Sequence, residues 1–414
     1  MDRRTSSAKL VIHEPSFQPL SIGERERQTT RGERRVDFAL TAEQELVRKE
    51  AGRFAQTQLA ASSSGTGRTF SRELWRRCAE FGVQGMPFPA EYGGQGADLI
   101  TTVLTLEELG YGCHDNGLLF SLGAHMWSCA LPIWRFGDAR QRDRYLPSLC
   151  NGSAVGVQAV TEVRSGSDAL AVRTAARACG DEYILDGVKT FITNAPVADV
   201  FVVLAQTGSV GDLGGLCAFV VDRKQPGISV GEPVEKLGLA SSPMSEVVLD
   251  DCRVPAAAML GGPGAGMTVF NTTIEWERSF ILATALGTMR RQLEESIAHA
   301  RAHTRFGEPI GRNQAVAHRI ADMRVRLEAA RLLLYRVAWL KDEGRRTSLE
   351  SSVVKLFLSE AFVESSMAAF TTHGADAYMS GAAQERDVRD ALASRIYSGT
   401  SDLQRVIIAR MLGL

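Results

Sequence analysis

Two short runs decide how this 414-residue chain is organised: VFVVLAQ at Val200–Gln206 and LCAFVVD at Leu216–Asp222. Both are rich in β-branched and aromatic residues, and the connection between them contains four glycines, a pattern typical of paired strands joined by a loop. Three similar runs lie nearby, at Ala171–Cys179, Glu182–Lys189 and Ser245–Asp250. Because no helical pattern separates these runs, the sequence predicts an antiparallel sheet or small barrel rather than alternating strands and helices.

Helical patterns flank this β-rich segment on both sides. Before it, Ser71 is a candidate N-cap for a helix that carries Leu74 and Trp75, and Leu118–Trp134 is apolar enough for a buried helix. After it, side chains recur with a period of about 3.6 residues and predict one face of a long helix. These residues are Met323, Leu327, Ala330, Leu334, Val337 and Lys341.

The order helical, β, helical predicts an α+β fold with three domains. We place an N-terminal helical domain at residues 36–155, an antiparallel β domain at 156–262 and a C-terminal helical domain at 263–414. Residues 1–35 mix arginines with acidic residues, unlike a secretory signal or a typical transit peptide. We predict that they form a disordered extension.

Composition excludes several classes of protein. A formal net charge of -1 provides no broad field for nucleic acid or an anionic membrane, so no nucleic-acid role is expected. No apolar run approaches the roughly 20 residues that span a bilayer, which predicts no membrane insertion. The seven cysteines form no Cys-x-x-Cys pair, and no histidine cluster has metal-ligand spacing, so we predict no metal site. Dispersed cysteines of odd number indicate a reducing compartment, and we expect a cytoplasmic protein.

Four motifs occur in order along the chain. They are TEVRSGSD at Thr161–Asp168, GVKTFITN at Gly187–Asn194, FGEPI at Phe306–Ile310 followed by Gln314, and YSGTSD at Tyr397–Asp402. Through them the chain resembles the acyl-CoA dehydrogenase family, flavoproteins that remove a proton and a hydride across the α,β carbons of an acyl thioester. The resemblance implies a C-terminal four-helix bundle and a homotetramer that shares FAD across a dimer interface.

The resemblance also implies the residues that hold FAD. On the β domain, the matching flavin-binding positions are Gln158, Val160, Thr161, Gly166, Ser167, Phe191 and Thr193. The positions that match contacts to a neighbouring subunit's FAD are Phe306, Gln314 and Gly374, while Thr400 and Asp402 match positions near the adenosine or pyrophosphate end. The arginine usual three residues before the phenylalanine is replaced by His303, which leaves phosphate neutralisation to Arg301 or Arg305.

The reaction requires a base, because a thioester α-proton leaves only when a positioned base removes it while hydrogen bonds stabilise the enolate oxygen. Ser398 stands where the family commonly has a carboxylate, so by resemblance it supplies only a backbone N–H to that oxygen. In the isovaleryl-CoA dehydrogenase branch the base lies on the helix that here holds Glu277 and Arg278. We therefore predict Glu277 as the base, Glu275 as the fallback, and Arg278 and Glu275 near the substrate. Without the resemblance, Glu277 and Arg278 would be interpreted as a solvated pair.

Further features resemble a smaller branch, the L-prolyl-[peptidyl-carrier protein] dehydrogenases of secondary metabolism. They are FSLGAH at Phe120–His125, ITNAPVAD at Ile192–Asp199, SPMSE at Ser242–Glu246 and SRIYSGT at Ser394–Thr400. In addition, the segment Lys236–Ala240 ends in Ala240, where members of the acyl-CoA dehydrogenase family commonly have an arginine. The branch implies a carrier-tethered aminoacyl thioester, with prolyl favoured, and a role in antibiotic biosynthesis.

Three alternatives remain open from the sequence. A short- or branched-chain acyl-CoA dehydrogenase that has diverged would carry the same motifs and act on a CoA thioester. A flavin monooxygenase or a non-catalytic flavoprotein on the same fold belongs to another class, and retention of Glu277 speaks against both. The electron acceptor is either an electron-transferring flavoprotein or oxygen.

Overall fold

Six α-helices precede the sheet in the described part of the chain. The computed structural model describes residues 39–60 and 69–414, and the extension predicted for residues 1–35 lies outside them. The helices are α1 Ala42–Phe54, α2 Arg72–Phe81, α3 Leu99–Gly112, α4 Asn116–Gly123, α5 Leu131–Phe136 and α6 Ala139–Cys150. Ser71 caps α2 as predicted, because its hydroxyl accepts a hydrogen bond from the N–H of Leu74 at 3.2 Å.

The helix predicted at Leu118–Trp134 is largely buried but is not one regular α-helix. Between α4 and α5 the chain forms a π-helical segment, Ala124–Ala130, in which every residue is buried. A π-helical turn is wider than an α-helical turn and changes the direction in which the following side chains point. Apolar periodicity alone does not reveal such a turn.

Eight strands form one sheet among the described residues. They are β1 Gly156–Ala159, β2 Ala175–Cys179, β3 Glu182–Thr193, β4 Val200–Gln206, β5 Leu216–Asp222, β6 Ile228–Val230, β7 Met244–Pro255 and β8 Met259–Leu260. The order is β6-β7-β3-β2-β4-β5-β8, with β1 beside β4. The runs at Val200–Gln206 and Leu216–Asp222, β4 and β5, pair antiparallel along their whole length.

The prediction of an antiparallel sheet is wrong for two strand pairs. β1 pairs with β4 in parallel, and β2 meets β4 at one parallel position, so the sheet is mixed. Strands joined by a tight turn must be antiparallel, but β1 and β4 are separated by two other strands and are free of that constraint. The remaining strand pairs are antiparallel.

Six further helices follow the sheet. They are α7 Gly266–Phe280, α8 Ala283–Ala302, α9 Gln314–Asp342, α10 Ser348–His373, α11 Ala383–Leu392 and α12 Ser401–Met411, with a small hairpin of β9 Thr304–Arg305 and β10 Glu308–Pro309 before α9. The predicted apolar face of α9 is buried from Met323 to Val337. The four long helices, α7 to α10, make up most of the C-terminal part.

Helices from the two ends of the chain meet where α3 crosses α8. A Cβ atom at Gly110 would lie 1.8 Å from the carbonyl oxygen of Thr284, and one at Gly287 would lie 1.8 Å from that of Glu107. Only glycine permits two backbones to approach so closely, because any other residue would place a Cβ atom in the contact. The two glycines therefore allow α3, one of the N-terminal helices, to pack directly on α8, one of the C-terminal helices. Within residues 39–60 and 69–414, no helix is both long and apolar enough to cross a membrane.

Candidate active site

A cavity of about 690 Å³ lies between the sheet, the π segment, α7 and the loop before α12. Its wall is formed by residues far apart in sequence, which the fold brings together. The predicted site residues that line it are Gln158, Val160, Thr161, Gly166, Ser167, Phe191, Thr193, Glu277, Arg278, Ser398 and Thr400.

The carboxylate of Glu277 is held by two hydroxyls at this cavity. Ser398 Oγ donates to Glu277 Oε1 at 2.5 Å, and Ser128 Oγ donates to Oε2 at 2.8 Å. The two donors come from different elements, the loop before α12 and the π segment. A carboxylate that is fixed in a cavity and accepts only neutral hydrogen bonds from side chains can accept a proton from a bound ligand.

The loop that carries Ser398 is fixed from two helices. Ser398 has a left-handed backbone with φ of 56°, and its carbonyl oxygen accepts from Arg278 Nε and Gln404 Nε2, each at 3.2 Å. In the described part of the chain, the N–H of Ser398 has no backbone acceptor. That donor is therefore available to an oxygen of a ligand.

Glu275 does not line the cavity, although it was predicted near the substrate. Its carboxylate accepts from Lys341 Nζ and Thr347 Oγ1, each at 2.8 Å, and from Ser348 Oγ at 2.5 Å. Residues two positions apart on a helix face different directions, so Glu277 and Glu275 cannot both reach the cavity. We therefore correct the sequence prediction and assign Glu275 to the contact between α7 and the start of α10.

The β-domain wall of the cavity fits a planar, polar ligand. Phe191 has a left-handed backbone with φ of 57° and a ring that is 66% exposed. Gln158 Nε2 is buried and has no hydrogen-bond partner within the described residues, so this N–H can donate to an acceptor atom of a ligand. Behind the wall, Lys189 Nζ donates to Glu162 Oε1 at 2.8 Å in an almost fully buried pair.

The other predicted cofactor residues lie away from this cavity. Phe306 is fully exposed on the β9–β10 hairpin, where Arg305 donates to the carbonyl oxygen of Thr304. Gln314 is the first residue of α9, and Gly374 follows α10. Asp402 is exposed and pairs with Arg405. Within one chain these residues do not line the cavity.

His303, which replaces the usual arginine, belongs to a group of aromatic rings. It stacks on His299 with ring centroids 4.0 Å apart, and His299 lies 4.4 Å from His373. Burial and the neighbouring histidines lower the pKa of His299. The imidazole of His303, stacked on that of His299, therefore stands near Arg305 where the family usually has the longer, charged side chain of an arginine.

Sequence reasoning missed two features of the site, the hydroxyl of Ser128 and that of Ser398. Ser128 is separated from Glu277 by 149 positions, so no local motif links them. A serine inside an apolar run was the available signal, because a buried hydroxyl requires a partner. The groups of three or more His, Cys, Asp or Glu side chains needed to bind a metal do not occur among the described residues.

Three family models match the chain. They are the N-terminal, middle and C-terminal domains of acyl-CoA dehydrogenase, at residues 41–153, 157–252 and 264–413. The domains predicted from the sequence enclose these segments.

Individual relatives agree with the family models. The chain is 43% identical to an L-prolyl-[peptidyl-carrier protein] dehydrogenase of Pseudomonas fluorescens over 89% of this chain and 98% of the relative. The structure of the prolyl acyl carrier protein oxidase AnaB matches with a TM-score of 0.88 and 43% identity, covering 91% of this chain and 100% of AnaB. PigA with FAD and proline matches with a TM-score of 0.88 and 38% identity, covering 92% and 100%. The chain belongs to the acyl-CoA dehydrogenase family and is an FAD-dependent oxidoreductase that acts on a thioester.

Proposed function

We propose that this enzyme oxidises an aminoacyl thioester, with prolyl favoured, while the acyl group is tethered to a carrier protein in natural-product biosynthesis. The observation that carries the proposal is the carboxylate of Glu277, held by two hydroxyls in a cavity whose opposite wall fits a flavin. The names of the P. fluorescens relative and of AnaB support the prolyl and carrier-protein parts.

Each residue has a distinct role in the proposal. Glu277 removes the α-proton, and the N–H of Ser398 donates to the thioester oxygen as negative charge develops there. Arg278 fixes the Ser398 loop through its hydrogen bond to the Ser398 carbonyl oxygen. Gln158, Thr161 and Phe191, with the other cavity residues of the β domain, bind FAD, which when bound supplies the acceptor for the β-hydride.

Apolar side chains form part of the cavity lining, among them Phe120, Ala124, Phe270 and Ile274. The hydroxyls of Ser128 and Ser398 both donate to Glu277, which either class of substrate requires, so they do not select between the two classes. An apolar lining suits a hydrocarbon chain as well as a prolyl ring, so a short- or branched-chain CoA thioester is the second candidate.

Anaerobic flavin bleaching tests the function directly. We expect prolyl-loaded carrier protein to abolish the oxidised flavin band, because proton and hydride removal reduce FAD, and we expect branched acyl-CoAs to bleach it far more slowly. Readmitting oxygen, or adding electron-transferring flavoprotein, then identifies the acceptor. Bleaching by acyl-CoA alone would replace the proposal with the CoA enzyme, and an oxygen-dependent C4a-adduct spectrum would favour a monooxygenase.

We also propose a cytoplasmic homotetramer in which Arg305, Phe306, Gln314 and Gly374 reach a neighbouring subunit's FAD, with Asp402 near the same cofactor. Exposed apolar residues on α9 support a further subunit contact: Val325, Leu332 and Trp339 recur every seven residues, opposite the buried face. An exposed apolar row of this kind is typical of an interface. Cys78, Cys129, Cys150, Cys179, Cys217 and Cys252 are free thiols, which agrees with a reducing compartment.

Leu332→Glu is expected to lower the oligomeric state, because it places a charge in the row of apolar residues on α9. The mass in solution, measured by light scattering after size-exclusion chromatography, should fall to that of a smaller assembly. Leu46→Glu is the matched control, because Leu46 is similarly exposed, at 59% against 51%, but lies on α1. Equal masses for wild type and Leu332→Glu would contradict an interface at this row.

A further inference from the structure

The two hydroxyls on Glu277 have a role beyond filling space. We propose that Ser128 and Ser398 are positioning residues for the base: together they fix the orientation in which the Glu277 carboxylate meets the substrate α-carbon. The inference rests on the proposed role of Glu277 as the base.

The geometry constrains the carboxylate from two sides. Each oxygen accepts one hydroxyl, Oε1 from Ser398 at 2.5 Å and Oε2 from Ser128 at 2.8 Å. Both serines are buried, so water does not compete freely for these bonds. Rotation of the carboxylate would break both bonds together, while each oxygen retains further lone-pair capacity for a proton from the cavity.

The chemistry of the donors determines their effect. A hydroxyl that donates to a carboxylate stabilises the ionised form, because the protonated acid accepts the bond less well. A neutral hydroxyl donor stabilises the carboxylate without forming an ion pair. An ion pair would also stabilise the charge, but it would weaken the carboxylate as a base. Two neutral donors therefore suit a group that must be ionised before the reaction and protonated after it.

The charged groups around Glu277 do not replace these donors. On its own helix, Arg278 is committed to the Ser398 carbonyl oxygen at 3.2 Å. On α10, Lys355 Nζ donates to the Ser394 carbonyl oxygen at 2.9 Å, and burial lowers its pKa to about 8. On the loop, burial raises the pKa of Tyr397 above its usual value, so this phenol stays neutral. Among the described residues, Ser128 and Ser398 are the side chains that hydrogen-bond Glu277.

The position of Ser128 supports a dedicated role. Phe120 and Ala124 line the same cavity, and the π segment that follows Gly123 is buried throughout. A hydroxyl in such a segment costs free energy unless it finds a partner, and its side-chain partner here is Glu277. The serine is thus explained by the carboxylate, which lies 149 positions away in sequence.

The test is the separation of kcat from KM for flavin reduction by the carrier-bound thioester. Ser128→Ala removes one donor, and Ser398→Gly removes the other while glycine tolerates the left-handed backbone at φ of 56°. Because each hydroxyl orients the base rather than binding the substrate, kcat should fall on the order of 10-fold in each variant while KM changes little, as for the loss of a hydrogen bond to a charged group. Ser128→Thr, which keeps a hydroxyl, should restore most of kcat.

Ser279→Ala is the matched control. Ser279 lies on α7 two residues after Glu277, is buried, and bonds the Glu275 carbonyl oxygen and Ser351 Oγ, each at 2.8 Å, away from the cavity. Its kcat and KM should be those of wild type. FAD content and the circular dichroism spectrum establish that each variant is folded. The Ser128 and Ser398 variants are measured separately, so each tests the positioning role independently of the other.

The outcomes separate this inference from the proposed function. No bleaching of the wild type by the carrier-bound thioester would overturn the function. Full activity in Glu277→Gln would overturn Glu277 as the base and, with it, the positioning role. Loss of activity in Glu277→Gln with an unchanged kcat in both Ser128→Ala and Ser398→Gly, or an equal fall in kcat in Ser128→Ala and Ser128→Thr, would overturn the positioning role alone.

Discussion

Glu277→Gln is expected to slow flavin reduction by roughly 10²- to 10⁴-fold, the range that general-base catalysis contributes. Glutamine preserves the size of the side chain and one oxygen acceptor, so the hydroxyls of Ser128 and Ser398 keep a partner on one side. The amide cannot accept the α-proton. Stopped-flow measurement of flavin bleaching by prolyl-loaded carrier protein, with the FAD content of both proteins matched, measures the effect.

The alternative base is tested by Glu275→Gln. Glu275 holds Lys341, Thr347 and Ser348 and does not line the cavity. Losing this carboxylate leaves Lys341 buried beside a neutral amide, so thermal stability should fall while the bleaching rate per bound FAD changes little. Bleaching at a near-normal rate in Glu277→Gln, together with a large loss in Glu275→Gln, would reverse the assignment.

The architecture could be predicted where the signal is local and periodic. The face of α9 from Met323 to Val337 follows from a period of 3.6 residues, because one side of a helix packs and the other does not. The β2–β3 hairpin follows from the Cys179–Glu182 turn, where Gly180 takes a φ of 65°. The parallel pairing of β1 with β4 could not be predicted, because no local turn sets the direction of β1 relative to β4.

The site residues likewise fall into two groups, those that short motifs indicate and those that only the tertiary structure brings together. Glu277 and the β-domain residues could be proposed from motifs, because each motif is short and lies on one element. The partners of Glu277 come from a π segment and from a loop with left-handed backbone, at separations of 149 and 121 positions. Only tertiary packing brings such residues together, so the hydroxyls of Ser128 and Ser398 became evident in the structure alone.

Lys189 and Glu162 form a buried ion pair behind the β-domain wall of the cavity. Lys189 is fully buried in β3, two residues before Phe191, and also donates to the carbonyl oxygen of Val160 at 3.2 Å. Burial lowers the pKa of Lys189 to about 8, although the charge of Glu162 opposes this shift. Burial alone would raise the pKa of Glu162, but the charge and hydrogen bond of Lys189 outweigh it and lower that pKa.

Lys189→Met is expected to lower the free energy of unfolding by about 3–5 kcal/mol, because it leaves Glu162 as an uncompensated buried charge. Methionine fills much of the same volume, so the loss is electrostatic rather than a cavity effect. Arg177→Met is the matched control: Arg177 pairs with Asp186 on the neighbouring strands, but its side chain is 65% exposed. Solvent and salt screen an exposed pair, which then contributes little to stability, so this control should remain close to wild type.

Two further measurements assign the cause of the loss in Lys189→Met. In Lys189→Met/Glu162→Gln the unpaired charge is removed, so part of the lost stability should return, although the bonds from Thr174 and the Arg173 N–H to Glu162 are then weaker. In wild type the stabilisation of Glu162 is present at neutral pH and is lost as acid protonates the carboxylate, so the difference from Lys189→Met should shrink below about pH 5. Because the pair lies directly behind Val160 and Phe191, FAD retention on desalting should weaken together with stability. A loss that is equal in Lys189→Met and Arg177→Met, or independent of pH, would mean that this pair does not hold the flavin wall through its charge.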